Sequence, residues 1–317
     1  MNLHEAAEFQ DALLAAAQDL DLDERFVEKD YYLTEVLRVV VRTHPDRTIL
    51  KGGTSLSKGW QLIDRFSEDI DLFVDPEAWT PPLGKNGVDR ELKLLRDAIA
   101  SHPALSYVEG EGNTIGGLSR EDYFKYDSLF DELPGLRSAI LLEPGVQSGR
   151  QPTEAVQISS MVGEYLRGHS ASDLADDVEP FEMTLLHFRR TFVEKLFIVH
   201  GKVERLRTEG HPLGRDARHY ADLHALADRP EVLEMLSTSE YDEIRGDYAQ
   251  LSRRFYPTSY RPPPELSFAG SDALTLPAEL RGQIEVDYEA ECRRLFPGPY
   301  PSLDDVIERL GALRDEL

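Results

Sequence analysis

Between residues 48 and 74 the chain has few ways to fold. Thr48-Ile49-Leu50 is a short β-prone run that stops at Gly52-Gly53, and Thr54 or Ser55 can cap a helix running to about residue 63. Asp69-Ile70-Asp71-Leu72-Phe73-Val74 then alternates polar and apolar positions, the period of a half-buried strand. That period places Asp69 and Asp71 on one face and Ile70 and Leu72 on the other. The segment therefore reads as strand, glycine turn, helix, strand.

The rest of the pattern fills out an α+β chain with a mixed sheet. Helices are predicted over 3–20, 26–42 and 89–100, a loop over 80–87, and strands over 106–111, 123–127 and 137–143. The last of these is apolar until it ends in Glu143. From Glu182 onward the periodicity is helical, with long amphipathic stretches at 188–206 and 217–227 and further helices near 278–295 and 302–313. Residues 256–264 (YPTSYRPPP) read as a surface loop. A boundary near Gly168 would separate a sheet-containing lobe, 1–168, from a mainly helical one, 169–317.

Composition narrows the function. With 317 residues and 41% hydrophobic content the chain can bury a sizeable core. No run approaches the ~18 apolar residues of a membrane span, and the opening twenty residues lack a signal-peptide pattern, so a cytoplasmic location is expected. Cys292 is the sole cysteine, which excludes an internal disulfide and a cysteine-rich metal site. His187, His200, His211 and His224 lack zinc spacing. The 35 Lys+Arg against 59 Asp+Glu leave a net charge of -24, so a polynucleotide partner would have to meet a local basic patch on an acidic body.

The chemistry concentrates in 51–72. A glycine-bounded helix start offers backbone N–H groups and a favourable dipole to phosphate; Gly52 and Gly53 permit close approach, and Thr54 and Ser55 add hydroxyl donors. Carboxylates at i and i+2 of a strand can jointly hold Mg²⁺, which prefers hard oxygen ligands and substrate phosphates. Glu143 is the best third acid for a two-metal site. Other phosphate motifs fit worse: Gly-Lys-Ser/Thr is absent, Lys58 preceding Gly59, and no G-x-G-x-x-G occurs there. Asp-x-Asp alone would more often be a solvated strand face; the upstream Gly-Gly-Thr-Ser turn reverses that reading.

Lys51-Gly52-Gly53-Thr54-Ser55-Leu56 with Arg65-Phe66-Ser67-Glu68-Asp69-Ile70-Asp71-Leu72 resembles the AbiEii/AbiGii-type toxins, a nucleotidyltransferase family that includes the mycobacterial MenT toxins and lies in the DNA polymerase beta superfamily. Glu28 to Leu37, Arg190 to Leu196 and Arg218 to Leu223 agree in order and spacing, so the resemblance spans roughly 25–225. It implies a bilobed nucleotidyltransferase fold. It also implies triphosphate contacts from Gly52, Gly53 and Ser55, Mg²⁺ (or Mn²⁺) on Asp69, Asp71 and Glu143, Lys195 on the nucleotide phosphates and Asp222 beside it.

Read by themselves, these last residues leave alternatives. Lys195 sits mid-helix among Phe192, Leu196 and Val199, where a lysine can snorkel or serve a phosphate. Asp222 follows Arg218 at i+4, an ordinary helix ion pair that can also orient the arginine. His219 has at most a supporting role. Arg65 either touches phosphate or holds the metal loop, and Lys29 with Asp30 reads as a buried or interlobe polar pair.

The function that the resemblance implies is an Mg-dependent toxin of a toxin–antitoxin pair, transferring NMP from an NTP to RNA. The tRNA 3′ end is the favoured acceptor, its modification blocking translation, with a cognate antitoxin as partner. Two other readings are an enzyme that nucleotidylates (AMPylates) a protein, and a non-catalytic partner-binding protein on a degenerate transferase fold.

Overall fold

The structure, a computed structural model, describes residues 1–131 and 136–317. The chain divides into two compact units: Met1–Trp60 with Phe66–Leu185, and Gln61–Arg65 with Leu186–Leu317.

The first unit is built on a mixed sheet. Its strands are β1 (Thr48–Lys51), β2 (Asp69–Val74), β3 (Ser106–Tyr107), β4 (Asn113–Ile115), β5 (Ser119–Lys125), β6 (Ala139–Gly145), β7 (Thr153–Ile158) and β8 (Phe181–Leu186). Their spatial order is β3-β5-β6-β2-β1-β8-β7, with β4 paired to β5. β2 lies antiparallel to β1 and parallel to β6. Helices α1 (Phe9–Leu20), α2 (Glu24–Thr43), α3 (Gly52–Thr54, continued by a π turn over Ser55–Gly59), α4 (Lys85–Ala100) and α5 (Met161–Gly168) complete the unit.

Alternation decides which sheet face is packed. Ile70, Leu72, Ile140 and Leu142 are fully buried against a core that includes Val36 and Leu37 of α2 and Leu92 and Leu95 of α4. Each such side chain contributes roughly 1.5–3 kcal/mol of burial. Asp69, Asp71, Leu141 and Glu143 fall on the opposite, half-buried face.

The second unit is helical apart from its connections. It holds α6 (Phe188–Glu209), α7 (His219–Ala227), α8 (Pro230–Leu236), α9 (Ser239–Phe255), α10 (Asp272–Thr275), α11 (Ala278–Leu295) and α12 (Leu303–Ala312). Its core joins Phe192, Leu196 and Val199 of α6 to Tyr220 and Leu223 of α7 and Ile284 and Tyr288 of α11, all buried. No helix among the described residues is long and apolar enough to cross a membrane.

Several elements depart from the sequence reading. The helix after Gly52 ends at Gly59 rather than near 63, because Gln61 at φ 51° turns the chain away. α4 starts at Lys85, inside the predicted loop. The stretch after Glu182 is first a strand: Phe181-Glu182-Met183-Thr184-Leu185-Leu186 forms β8, whose Leu50↔Leu185 pairing with β1 is a long-range contact no local pattern contains. The helix starts only at Phe188, where the His187 ring caps it by accepting the Arg189 N–H at 3.3 Å.

Candidate active site

Sheet register builds the first cluster. Lys51 at the end of β1 pairs with Asp71 in β2, and Asp71 pairs with Glu143 in β6. Paired residues of neighbouring strands project from the same face. Lys51, Asp71 and Glu143 thus form a row across the sheet, with Asp69 two residues along. The β5–β6 register, Ser119↔Gly145 and Asp122↔Leu142, brings Glu121 onto the same row.

Charge along that row is unbalanced. Lys51 Nζ lies 3.3 Å from Asp71 Oδ1. Burial pushes the Glu143 carboxyl up to about 7, and the like charges of Asp71, Asp69 and Glu121 add to the rise while Lys51 opposes it. A cluster that prefers to keep a proton near neutrality is short of positive charge, and a hard divalent cation on carboxylate oxygens is the ligand chemistry that supplies it. The donor set fits Mg²⁺ in this respect. Among the described residues, no three carboxylate, imidazole or thiol side chains are drawn tightly enough together to make a closed metal site.

The glycine turn is pressed onto the same row. Gly52 adopts φ +71°, and a Cβ there would come 2.1 Å from Asp71 Oδ2. Any side chain would therefore collide with the carboxylate as well as strain the backbone. Gly53 is buried at the start of the helical turn. The Thr54 hydroxyl donates to the Asp69 carbonyl and lies 3.0 Å from Ser67 Oγ; the Ser55 hydroxyl donates to the Gly52 carbonyl at 2.9 Å. These hydroxyl protons tie the turn to β2 and to itself. Lys29 and Asp30 brace the surroundings separately: Lys29 donates to the Arg137 carbonyl at 3.0 Å and lies 3.6 Å from Glu68, while Asp30 pairs with Lys58 at 2.7 Å.

The second unit holds the second cluster, centred on Asp222. Arg65 grips this carboxylate through two parallel bonds of 2.7 and 2.8 Å, and Lys195 Nζ lies 2.7 Å away. His219 Nδ1 stands 2.9 Å from Lys195 Nζ. Arg65, Lys195 and Asp222 are 2%, 3% and 0% exposed, so Lys195 does not snorkel to solvent. Burial opposes ionisation of Asp222, yet Arg65 and Lys195 hold its carboxyl well below the usual range. Burial and Arg65 pull Lys195 down, and Asp222 restrains the fall.

Gly52, Asp69, Asp71 and Glu143 are thus gathered in the first unit, and Arg65, Lys195 and Asp222 in the second. Lys51 and Glu121 were not assigned roles from sequence. Lys51 was readable only as the residue before a glycine pair, and Glu121 had no local signal, because the strand register alone puts them in the row.

The chain matches the family described as "Nucleotidyl transferase AbiEii toxin, Type IV TA system" over residues 36–309. It belongs to this family. This AbiEii chain is therefore a nucleotidyltransferase toxin of the type IV toxin–antitoxin class, which implies an NTP substrate and an antitoxin partner. Among solved structures it is similar to MenT4, a nucleotidyltransferase toxin from Mycobacterium tuberculosis H37Rv, at 15% identity and a TM-score of 0.57, covering 96% of this chain and 90% of that one. It is also similar to a putative nucleotidyltransferase from H. pylori, at 16% identity and a TM-score of 0.43, covering 93% and 95%. At 15% identity the likeness to MenT4 concerns the fold. No curated protein matches.

Proposed function

We propose that this AbiEii protein transfers a nucleoside monophosphate from an NTP to an RNA hydroxyl, with the tRNA 3′ end as acceptor, so that the modified tRNA no longer supports translation. The observation that carries the reading is the register row of Asp71 and Glu143 beside Asp69, with Gly52 seated against the Asp71 carboxylate.

Asp69, Asp71 and Glu143 would hold Mg²⁺, with Mn²⁺ as a substitute. When bound, the ion supplies activation of the acceptor hydroxyl and neutralisation of the leaving pyrophosphate. Gly52 and Gly53, with the turn carrying Thr54 and Ser55, would admit triphosphate oxygens to close range, because neither glycine carries a side chain of its own. Lys195 would place a positive charge on the nucleotide phosphates, and Asp222 would keep that lysine charged despite its burial. Arg65 fits the role of holding Asp222 better than that of touching phosphate, since two of its N–H groups are taken by the carboxylate. In the reaction the acceptor hydroxyl gives up its proton to water, its oxygen bonds to the α-phosphorus, the α–β bridging bond breaks, and pyrophosphate leaves.

One observation favours a second acceptor. A formal charge of -24 disfavours wide contact with a polyanion, which suits a protein hydroxyl better than RNA. A single assay separates the two. The pure protein is incubated with total tRNA, or with protein lysate, and each labelled NTP in turn. Label made acid-insoluble with tRNA supports the first reading, and label on protein supports the second. Incorporation into neither, with Mg²⁺ or Mn²⁺ present, would sink both.

A further inference from the structure

A lysine ammonium has three N–H donors. In the second unit two are accounted for: one meets Asp222 Oδ2 at 2.7 Å and one meets His219 Nδ1 at 2.9 Å. Two nitrogens at 2.9 Å form a hydrogen bond only if one offers a lone pair, and Lys195, ion-paired to Asp222 at 2.7 Å, is placed as the donor. His219 Nδ1 is therefore the acceptor, and the ring proton sits on Nε2, which faces Asp216 Oδ1 at 3.6 Å. Asp216 is itself paired with Lys202. The neutral imidazole of His219 therefore lies between Lys195 on its Nδ1 side and the Asp216–Lys202 pair on its Nε2 side.

We propose that His219 is a positioning residue: its Nδ1 lone pair and the Asp222 carboxylate together fix the rotation of the Lys195 ammonium, leaving the third N–H for one phosphate oxygen of the nucleotide. This rests on the proposed contact between Lys195 and the NTP. Asp222 alone restrains the charge but leaves the ammonium free to spin about its Cε–Nζ bond. A second, directional acceptor on a buried ring removes that freedom.

The experiment uses the full chain, with NTP saturation curves for H219A, H219N, H219Q and K195A and a thermal melt of each. Asparagine puts an amide oxygen where Nδ1 lies, whereas glutamine puts its amide nearer Nε2. Expected are a rise in KM for the NTP of about tenfold in H219A and H219Q, the loss of one positioned hydrogen bond, and recovery to within about threefold in H219N. Equal impairment of H219N and H219A, or a wild-type KM in H219A beside an inactive K195A, overturns the role of His219 while leaving Lys195 on the phosphates. A K195A variant with wild-type kinetics removes the underlying contact itself. If H219A fails to fold, the contrast between H219N and H219Q decides.

Discussion

The two units hold carboxylates under opposite electrostatic conditions. In the first, Glu143 is pushed up to about 7 by burial and then by Asp71 and Asp69, against one partly exposed lysine. In the second, the more deeply buried Asp222 is held well below the usual range by Arg65 and Lys195. Burial alone would raise both; what differs is whether the fold supplies the counter-charge. The whole units follow the same trend, with 16 basic against 34 acidic residues in the first, a net of −18, and 19 against 25 in the second, a net of −6. One site is completed internally. The other has a deficit that a proton on Glu143 or a cation from outside can fill, which suits the metal site proposed above.

Each side of this contrast can be broken by substitution. The largest effect is expected for D71A, which removes a proposed metal ligand from the cluster that lacks positive charge. Nucleotide incorporation should drop by at least about 10³-fold, with a melting curve close to wild type because a like-charge contact is lost with it. Undiminished incorporation by purified D71A or D69A would refute the metal assignment. Next comes D222A, which leaves Arg65 and Lys195 buried without their anion. Urea unfolding should show a loss of about 3–5 kcal/mol, the cost of breaking a buried pair from one side. A loss under 1 kcal/mol would mean that the second cluster is not internally compensated.

Two smaller effects sharpen the contrast. G52A adds a Cβ at φ +71° against the Asp71 carboxylate and should cost about 1–3 kcal/mol in stability, together with a raised KM for the NTP. A fully active and equally stable G52A would remove the close approach from the mechanism. The smallest is pH-linked. Because the folded Glu143 titrates at about 7 rather than at 4.5, the fold binds its proton more tightly than the unfolded chain does. The metal-free protein should therefore be most stable below about 4.5 with respect to this group, and lose that contribution as pH rises to about 7. E143Q should flatten this portion of the stability profile, and Mg²⁺ should offset the loss at pH 8. A wild-type profile indistinguishable from that of E143Q between those values would place Glu143 outside the charge cluster.

Much of the first cluster is legible in the sequence. The Asp69 to Val74 alternation and the Gly52-Gly53 break are local signals, and the strand and turn stand where those signals put them. Glu143 was singled out as an acid ending an apolar run, and it lies opposite Asp71 in β6. The missed elements have weak local signals. β8 sits in a stretch that reads as the approach to a helix, and it is a strand because Leu185 reaches back to β1. Glu121 joins the row through a register that no window of its own neighbours encodes. Gln61 at φ 51° ended a helix that propensity would have carried further.

From its order of residue types alone, the chain specified a glycine turn with a period-2 run presenting two acids on one face, since backbone sterics and pleat geometry act between near neighbours. Whether those acids would be short of positive charge or neutralised was decided only by tertiary structure. Coulomb energies depend on distance and burial, and residues 157 positions apart, such as Arg65 and Asp222, come within hydrogen-bond reach only when the chain has folded.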